Sequence, residues 1–304
     1  MSGAPVVVLA GGTGGAKLAR GMQDVVGQDL VVVANTADDV EIYGAHVSPD
    51  PDLVSFWLAD RIDERGWGLA GDTFHVMDGL RELGVEVWFN LGDRDLAIGI
   101  ERARRLTEGE RLTEALGALG RSLGVKARVL PMCDEPVRTW VRAHGREWPF
   151  QAFMIQARGA GPVEGVELRG VEAARATPEV LDAVAGARAV IIGPSNPVIS
   201  IAPILAVPGM REALAASPAP VVAVSPLVEG AVLKGPTEPF LQWSGHALDS
   251  SGIAAAYAGV IDGLLADQPT GRVPCRRADV LMADAEGRRR VASDALAFAE
   301  ALVR

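Results

Sequence analysis

The tightest constraint on the fold is a set of five short apolar runs, residues 5–10, 30–34, 85–89, 189–192 and 220–224, rich in β-branched side chains and continuous rather than alternating. A strand with one wet face alternates with period two. A strand apolar on both faces belongs in a parallel sheet covered by helices. Stretches with helical periodicity separate most of the runs, at residues 16–25, 53–65, 94–106, 112–123, 178–185, 209–215 and 252–265. A sixth strand is predicted at residues 280–283 and a closing helix at 289–302. The fold expected is α/β, a three-layer αβα, Rossmann-like, doubly wound and mainly parallel sheet.

Between Leu130 and Glu172 the texture changes to Pro, Gly and aromatic residues with short alternating pieces, Thr139-Trp140-Val141-Arg142 and residues 150–156. This predicts a small inserted antiparallel subdomain at 131–172 within a ligand-binding core made of 1–130 and 173–304. Residues 227–251, punctuated by Gly and Pro, are too long for a simple connector and read as a functional loop or lid.

With 304 residues, 49% hydrophobic and 22% charged, the chain can bury a large core. The formal net charge of −10 argues against a broad nucleic-acid or membrane surface, since both need clustered Lys and Arg. An anionic ligand must therefore be held locally. Cys133 and Cys275 show neither CxxC nor Cys/His spacing, so no disulfide framework or zinc site is indicated. From Met1 onward there is no basic leader, and no apolar stretch reaches the roughly 18 residues of a membrane span. A cytoplasmic protein is expected.

The turn after each run carries the chemistry. The first run leads into Gly11-Gly12-Thr13-Gly14-Gly15-Ala16-Lys17, the second into Asn35-Thr36-Ala37-Asp38-Asp39, the third into Asn90-Leu91-Gly92-Asp93-Arg94-Asp95. The fourth gives Gly193-Pro194-Ser195-Asn196-Pro197 and the fifth Ser225-Pro226. Ligands of open parallel sheets sit outside the carboxyl ends of the strands, so these turns are expected to meet in one crevice.

The first loop suits a phosphate, because glycine lets backbone N–H groups face oxygen and the following helix offers its positive end. It matches neither common fingerprint. Counting from Gly12, Lys17 stands where a dinucleotide site wants Gly or Ala, and the Gly-Lys-Ser/Thr of a P-loop is absent. A tight turn without ligand would use the same glycines. Asp38 and Asp39 are placed to hold Mg2+ beside a diphosphate, or to act as general base, or to cap a turn. Asp50 and Asp52, in Ser48-Pro49-Asp50-Pro51-Asp52, fit function or helix capping equally. Arg94 can pair with phosphate or with Asp93. Ser195 and Asn196, held between prolines, suit a base edge or ribose. Lys234 can contact phosphate from the lid or remain a solvated charge. His46, His75, His144 and His246 lack metal spacing and read as structural or surface residues.

These segments, with Gly68-Leu69-Ala70-Gly71-Asp72-Thr73-Phe74, Ser200-Ile201-Ala202-Pro203-Ile204 and Val224-Ser225-Pro226, occur in the order found in a known family. The chain resembles the 2-phospho-L-lactate transferases (CofD/FbiA) of coenzyme F-420 biosynthesis. The resemblance implies a donor of guanosine diphosphate linked to lactate or enolpyruvate and a deazaflavin acceptor, Fo, whose ribityl hydroxyl attacks phosphorus as GMP leaves. It also implies an Mg2+ cofactor and a homodimer. It places acceptor contacts on Asp52 and Asn90, metal and acid–base roles on Asp38 and Asp39, and nucleotide contacts on Gly12, Thr13, Ser195 and Asn196. Gly14, Gly15, Lys17, Asp93, Arg94 and Lys234 complete the expected substrate-binding set. Position 90 is Asn where some relatives carry a basic residue, which replaces a charge contact by hydrogen bonding. One alternative is a nucleotide-sugar-binding regulator of the CofD-like branch, against which Asp72-Thr73-Phe74 and Gly92-Asp93-Arg94-Asp95 argue. Another, a nicotinamide-dependent oxidoreductase, is weakened by Lys17 and by the lack of an acid dedicated to ribose.

Overall fold

The computed structural model describes residues 3–302, so Met1, Ser2, Val303 and Arg304, which enter the expectations for the two ends of the chain, lie outside it. Four of the five runs form strands: β1 (Val6–Ala10), β2 (Leu30–Ala34), β9 (Ala189–Ile192) and β10 (Val221–Val224). Between β2 and β9 lie the hairpin β3 (Val40–Ile42) and β4 (Ala45–Val47), then β5 (Arg128–Pro131), β6 (Arg138–Ala143), β7 (Arg146–Pro149) and β8 (Val163–Arg169). After β10 come β11 (Leu227–Val228), β12 (Ala231–Val232), β13 (Gly263–Ala266) and β14 (Cys275–Arg277). The helices are α1 (Gly12–Val26), α2 (Pro49–Leu58), α3 (His75–Glu82), α4 (Asp93–Thr107), α5 (Leu112–Leu123) and α6 (Phe150–Ile155). They continue as α7 (Pro178–Ala185), α8 (Ala202–Ala206), α9 (Met210–Ala216), α10 (Thr237–Trp243), α11 (Ser250–Ala256) and α12 (Ala285–Ala301).

Seven strands make the main sheet in the order β14-β13-β10-β9-β1-β2-β5, every neighbouring pair parallel. The chain winds outward from β1 through β2 to β5, returns to β9 on the other side of β1, and winds outward again. The reversal beside β1 is where a doubly wound sheet opens a ligand crevice. Val7, Leu9, Val31, Val33, Val190 and Ile192 point into one apolar core with α7, α8, α9 and α11. Val6, Val8, Val32, Ile191 and Val222 point into a second with α1 and α12. Both faces are therefore dry, which is why these strands do not alternate.

Several expected elements differ, among them the helix expected at 53–65, which spans Pro49–Leu58. Residues 85–89 do not pair as a strand: Val85 is exposed, Val87 and Phe89 pack against a satellite core of Ala45, Val47, Met77, Leu91 and Leu96, and the Phe89 N–H reaches the Tyr43 hydroxyl. The strand beside β2 is instead β5. The helix expected across residues 252–265 stops at Ala256, and Gly263–Ala266 forms buried β13; the Ala-rich run with no β-branched cluster hid this strand. The edge strand is Cys275–Arg277, not residues 280–283, where Val280 and Met282 pack onto the core. The smaller sheet β7-β6-β8 is antiparallel, and residues 150–155 are helical because Phe150 and Phe153, one turn apart, both face its core. The loop at 227–251 contains the β11–β12 hairpin and α10, whose Phe240 meets Phe153 edge-on at 6.0 Å.

Close approach of α1 and α12 depends on Gly21, where a β-carbon would collide with the Arg288 carbonyl. Gly21→Ala should destabilise by about 1–3 kcal/mol in urea unfolding. Gly79→Ala, in α3 with nothing within 4 Å, should stabilise by about 0.5–1 kcal/mol. A stabilised Gly21→Ala protein would contradict this packing.

Candidate functional site

A cavity of about 770 Å³ opens at the carboxyl ends of β1, β2, β9 and β10. The loop after β1, the β2–α2 connection, residues 88–91, Pro194–Asn196, Ser225–Pro226 and residues 233–237 all contribute to its wall. The first and fourth loops are fitted together: a β-carbon at Gly14 would strike the Pro194 carbonyl, and one at Gly15 would lie 2.7 Å from Ser195 Oγ. Gly12 starts α1 with φ 63°, a conformation open to glycine.

Asp50 ties these loops into one piece. Its Oδ1 accepts the Gly12 N–H at 2.7 Å and its Oδ2 accepts Asn35 Nδ2 at 3.0 Å. Asn35 in turn donates to the Ile199 carbonyl at 3.4 Å and accepts the Ala37 N–H at 3.0 Å. Burial pushes the Asp50 carboxyl up to about 6 despite these donors. Beside it, burial and the Asp50 charge raise Asp38 well above the ordinary carboxylate range, and its buried Oδ1 has no partner. The Gly11 N–H faces Ser195 Oγ at 3.4 Å, so two amides of the glycine loop serve the protein. Thr13, Gly14 and Lys17 line the cavity. Lys17 Nζ donates to the Met282 carbonyl at 3.3 Å and sits 5.9 Å from the Trp57 ring centroid. Its pKa is lowered by burial and by Arg288 and Lys234 nearby.

Other expected residues are committed to the fold. Asp39 is buried and does not line the cavity; its carboxylate takes His46 Nε2 at 3.0 Å and Ser48 Oγ at 2.7 Å. Burial opposes charge on His46, but hydrogen bonds to Asp39 and Glu41 prevail and raise it to about 8. Asp52 lines the cavity yet is paired with Arg102, which is fully buried and also donates to the His46 carbonyl at 2.8 Å. Asp93 accepts Thr73 Oγ1 at 2.6 Å and the N–H groups of His75 and Val76, while Asp72 accepts those of Thr73, Arg94 and Asp95. The two acidic motifs thus clasp each other at the starts of α3 and α4, an N-capping role. Arg94 is exposed and donates to the Gly71 carbonyl at 2.6 Å. Gly15, Asp39, Asp93 and Arg94 are absent from the cavity wall among the described residues.

Asn90 reaches the wall with Oδ1 bonded to Arg81 at 2.7 Å. Ser195, Asn196 and Lys234 also line it. Asn196 Oδ1 accepts the Val198 N–H at 2.9 Å, leaving its buried Nδ2 without a partner. Sequence reasoning passed over Asn35 and Asp95 as site residues and left Asp50 evenly between function and helix capping. A signal for Asp50 existed, since two carboxylates in the first turn of α2 exceed what one cap needs.

Among the described residues no group of three or more His, Cys, Asp or Glu forms a metal cage. The Asp38–Asp50 pair nevertheless fits Mg2+, which takes one or two carboxylates and completes its shell with phosphate oxygens and water. The partnerless Asp38 oxygen supports that fit.

The family model described as 2-phospho-L-lactate transferase CofD matches residues 6–303. A 2-phospho-L-lactate transferase of Methanosarcina mazei is 38% identical over 92% of this chain and 96% of its own. A phosphoenolpyruvate transferase of Kitasatospora aureofaciens is also 38% identical, over 97% and 98%. Among solved structures, a protein member of the UPF0052 family from Bacillus halodurans is similar with a TM-score of 0.62 and 17% identity, covering 97% of this chain and 99% of that one, a likeness of fold. On the match across nearly its whole length, the chain belongs to the 2-phospho-L-lactate transferase CofD family.

Proposed function

We propose that the protein transfers a phospholactyl or phosphoenolpyruvyl group from a guanosine-diphosphate-linked donor to a ribityl hydroxyl of Fo, releasing GMP, in coenzyme F-420 biosynthesis. Membership of the family supports the reaction class. The observation that carries the site assignment is the partnerless Asp38 oxygen beside Asp50, which grips the Gly12 amide at the mouth of α1.

The donor diphosphate lies against Thr13, Gly14 and the N-terminus of α1, with Lys17 and Lys234 supplying positive charge. Asn196, through its free amide N–H groups, and Ser195 meet the nucleoside. Asp38 and Asp50 would hold Mg2+, which neutralises charge on the phosphoryl oxygens. Asp39 holds the Asp38 backbone in place through His46 and Ser48. The acceptor packs against the lining aromatics Trp67, Trp88 and Phe89 and meets Asp52 and Asn90, which line the same cavity. Its hydroxyl oxygen forms a bond to the phosphorus bearing the three-carbon acid, the bond from that phosphorus to the GMP oxygen breaks, and a carboxylate or water takes the hydroxyl proton. No histidine or cysteine lines the cavity among the described residues, consistent with positioning and charge neutralisation in place of a covalent nucleophile. Among the described residues no single helix is long and apolar enough to cross a membrane, and both cysteines are free; the free thiols support a cytoplasmic setting.

With Fo and both guanylated donors competing in one assay, GMP release should accompany a new phosphodiester of Fo for at least one donor, and a chelator should abolish it. Tight nucleotide binding without turnover of either donor overturns the reading. Asp38→Asn and Asp50→Asn should each lower kcat by about 100-fold or more; Asp38→Asn should shift the melting temperature little, whereas Asp50→Asn, which leaves the Gly12 or Asn35 donor without an acceptor, should destabilise by about 1–3 kcal/mol. Wild-type rates in both would remove the metal assignment.

A further inference from the structure

We propose that Asp95 is an acceptor-recognition residue, its carboxyl group hydrogen-bonding hydroxyls of the incoming polyol. The inference rests on the transferase reading above and extends it to a residue of the third strand-end motif that has been given no role so far. Asp95 stands in the first turn of α4 and lines the cavity together with Asp52, Asn90 and Trp88. Its neighbours Asp72 and Asp93 are both saturated with helix-capping bonds. Asp95 contributes its backbone N–H to Asp72 at 3.1 Å. Among the described contacts its own carboxyl oxygens take no hydrogen bond and no ion pair.

The nearby cation does not fill that need. Arg102 directs both terminal nitrogens to Asp52 and one of them also to the His46 carbonyl. A half-buried carboxyl with no protein donor, facing a cavity, is open to a ligand that brings hydroxyls. Burial and the Asp52 charge push Asp95 up to about 7, so around neutrality it offers both a donor and an acceptor, the combination that a polyol chain matches.

Steady-state kinetics and fluorescence titration of Fo onto the full chain test this with Asp95→Ala and Asp95→Asn. Asp95→Ala should raise the Fo KM and Kd about tenfold and leave the donor KM unchanged. Asp95→Asn, which keeps a donor and an acceptor at the same place, should restore Fo affinity to within about threefold of wild type. Unchanged Fo affinity in Asp95→Ala overturns the assignment while leaving the transferase reading intact. So does a parallel rise in both KM values, which would mark a structural role. Weaker Fo binding by Asp95→Ala supports it even with no donor turned over, and failure of the wild type to bind Fo overturns both readings.

Discussion

The site depends on one buried carboxylate. Asp50 sits in the first turn of α2 and holds the Gly12 amide from the β1 loop and the Asn35 amide from the β2 loop, while Asn35 reaches on to Ile199 beyond β9. Three loops from adjacent strand ends are thereby fixed relative to one another. Removing water from an anion is unfavourable unless donors replace it, so the buried Asp50 carboxylate depends on the donors these loops supply, and its raised pKa shows how incompletely two donors compensate. In the proposed enzyme a cation shared with Asp38 completes the compensation, which gives a buried pair of acids a reason to persist at the heart of the crevice.

Around this pivot the protein separates carboxylates that are free to act on ligands from carboxylates that hold the scaffold. Asp39, Asp72 and Asp93 are saturated by hydroxyl, imidazole and backbone donors, and Asp52 is bound to Arg102. Asp38 keeps one buried oxygen without a partner, and both it and Asp95 line the cavity. With a formal net charge of −10, the chain can attract anions only through a local arrangement, here the N-terminus of α1 with Lys17 and Lys234. In the proposed reaction this local positive charge positions the anionic donor within the cavity.

Much of this architecture is legible in the amino-acid order alone. Strands β1, β2, β9 and β10 show as continuous β-branched runs because both faces of the sheet are covered. The strand-end loops then locate the crevice. Hidden from such a reading are elements whose identity depends on distant partners. Residues 85–89 have strand-forming side chains but no neighbour with which to pair, and Trp88 and Phe89 become cavity wall instead. Gly263–Ala266 has weak strand propensity but a ready edge beside β10. Within the site, residue type identifies acidic motifs but not their division of labour. Nothing in Asp38-Asp39 says which carboxylate faces the ligand; that is set by His46 and Ser48 on the following hairpin and helix entry. Asp93 is prominent as part of an acidic motif, yet its neighbour two positions on is the one that lines the cavity, since Asp93 is held by Thr73 and the start of α3.

The central claim is direct displacement at phosphorus within one cavity holding both substrates, with no covalent protein intermediate. The stereochemical course of transfer from a donor made chiral at the transferred phosphorus tests it most directly. A single in-line displacement predicts inversion of configuration in the Fo phosphodiester. Retention would require two successive displacements through a phosphorylated side chain and would contradict the account.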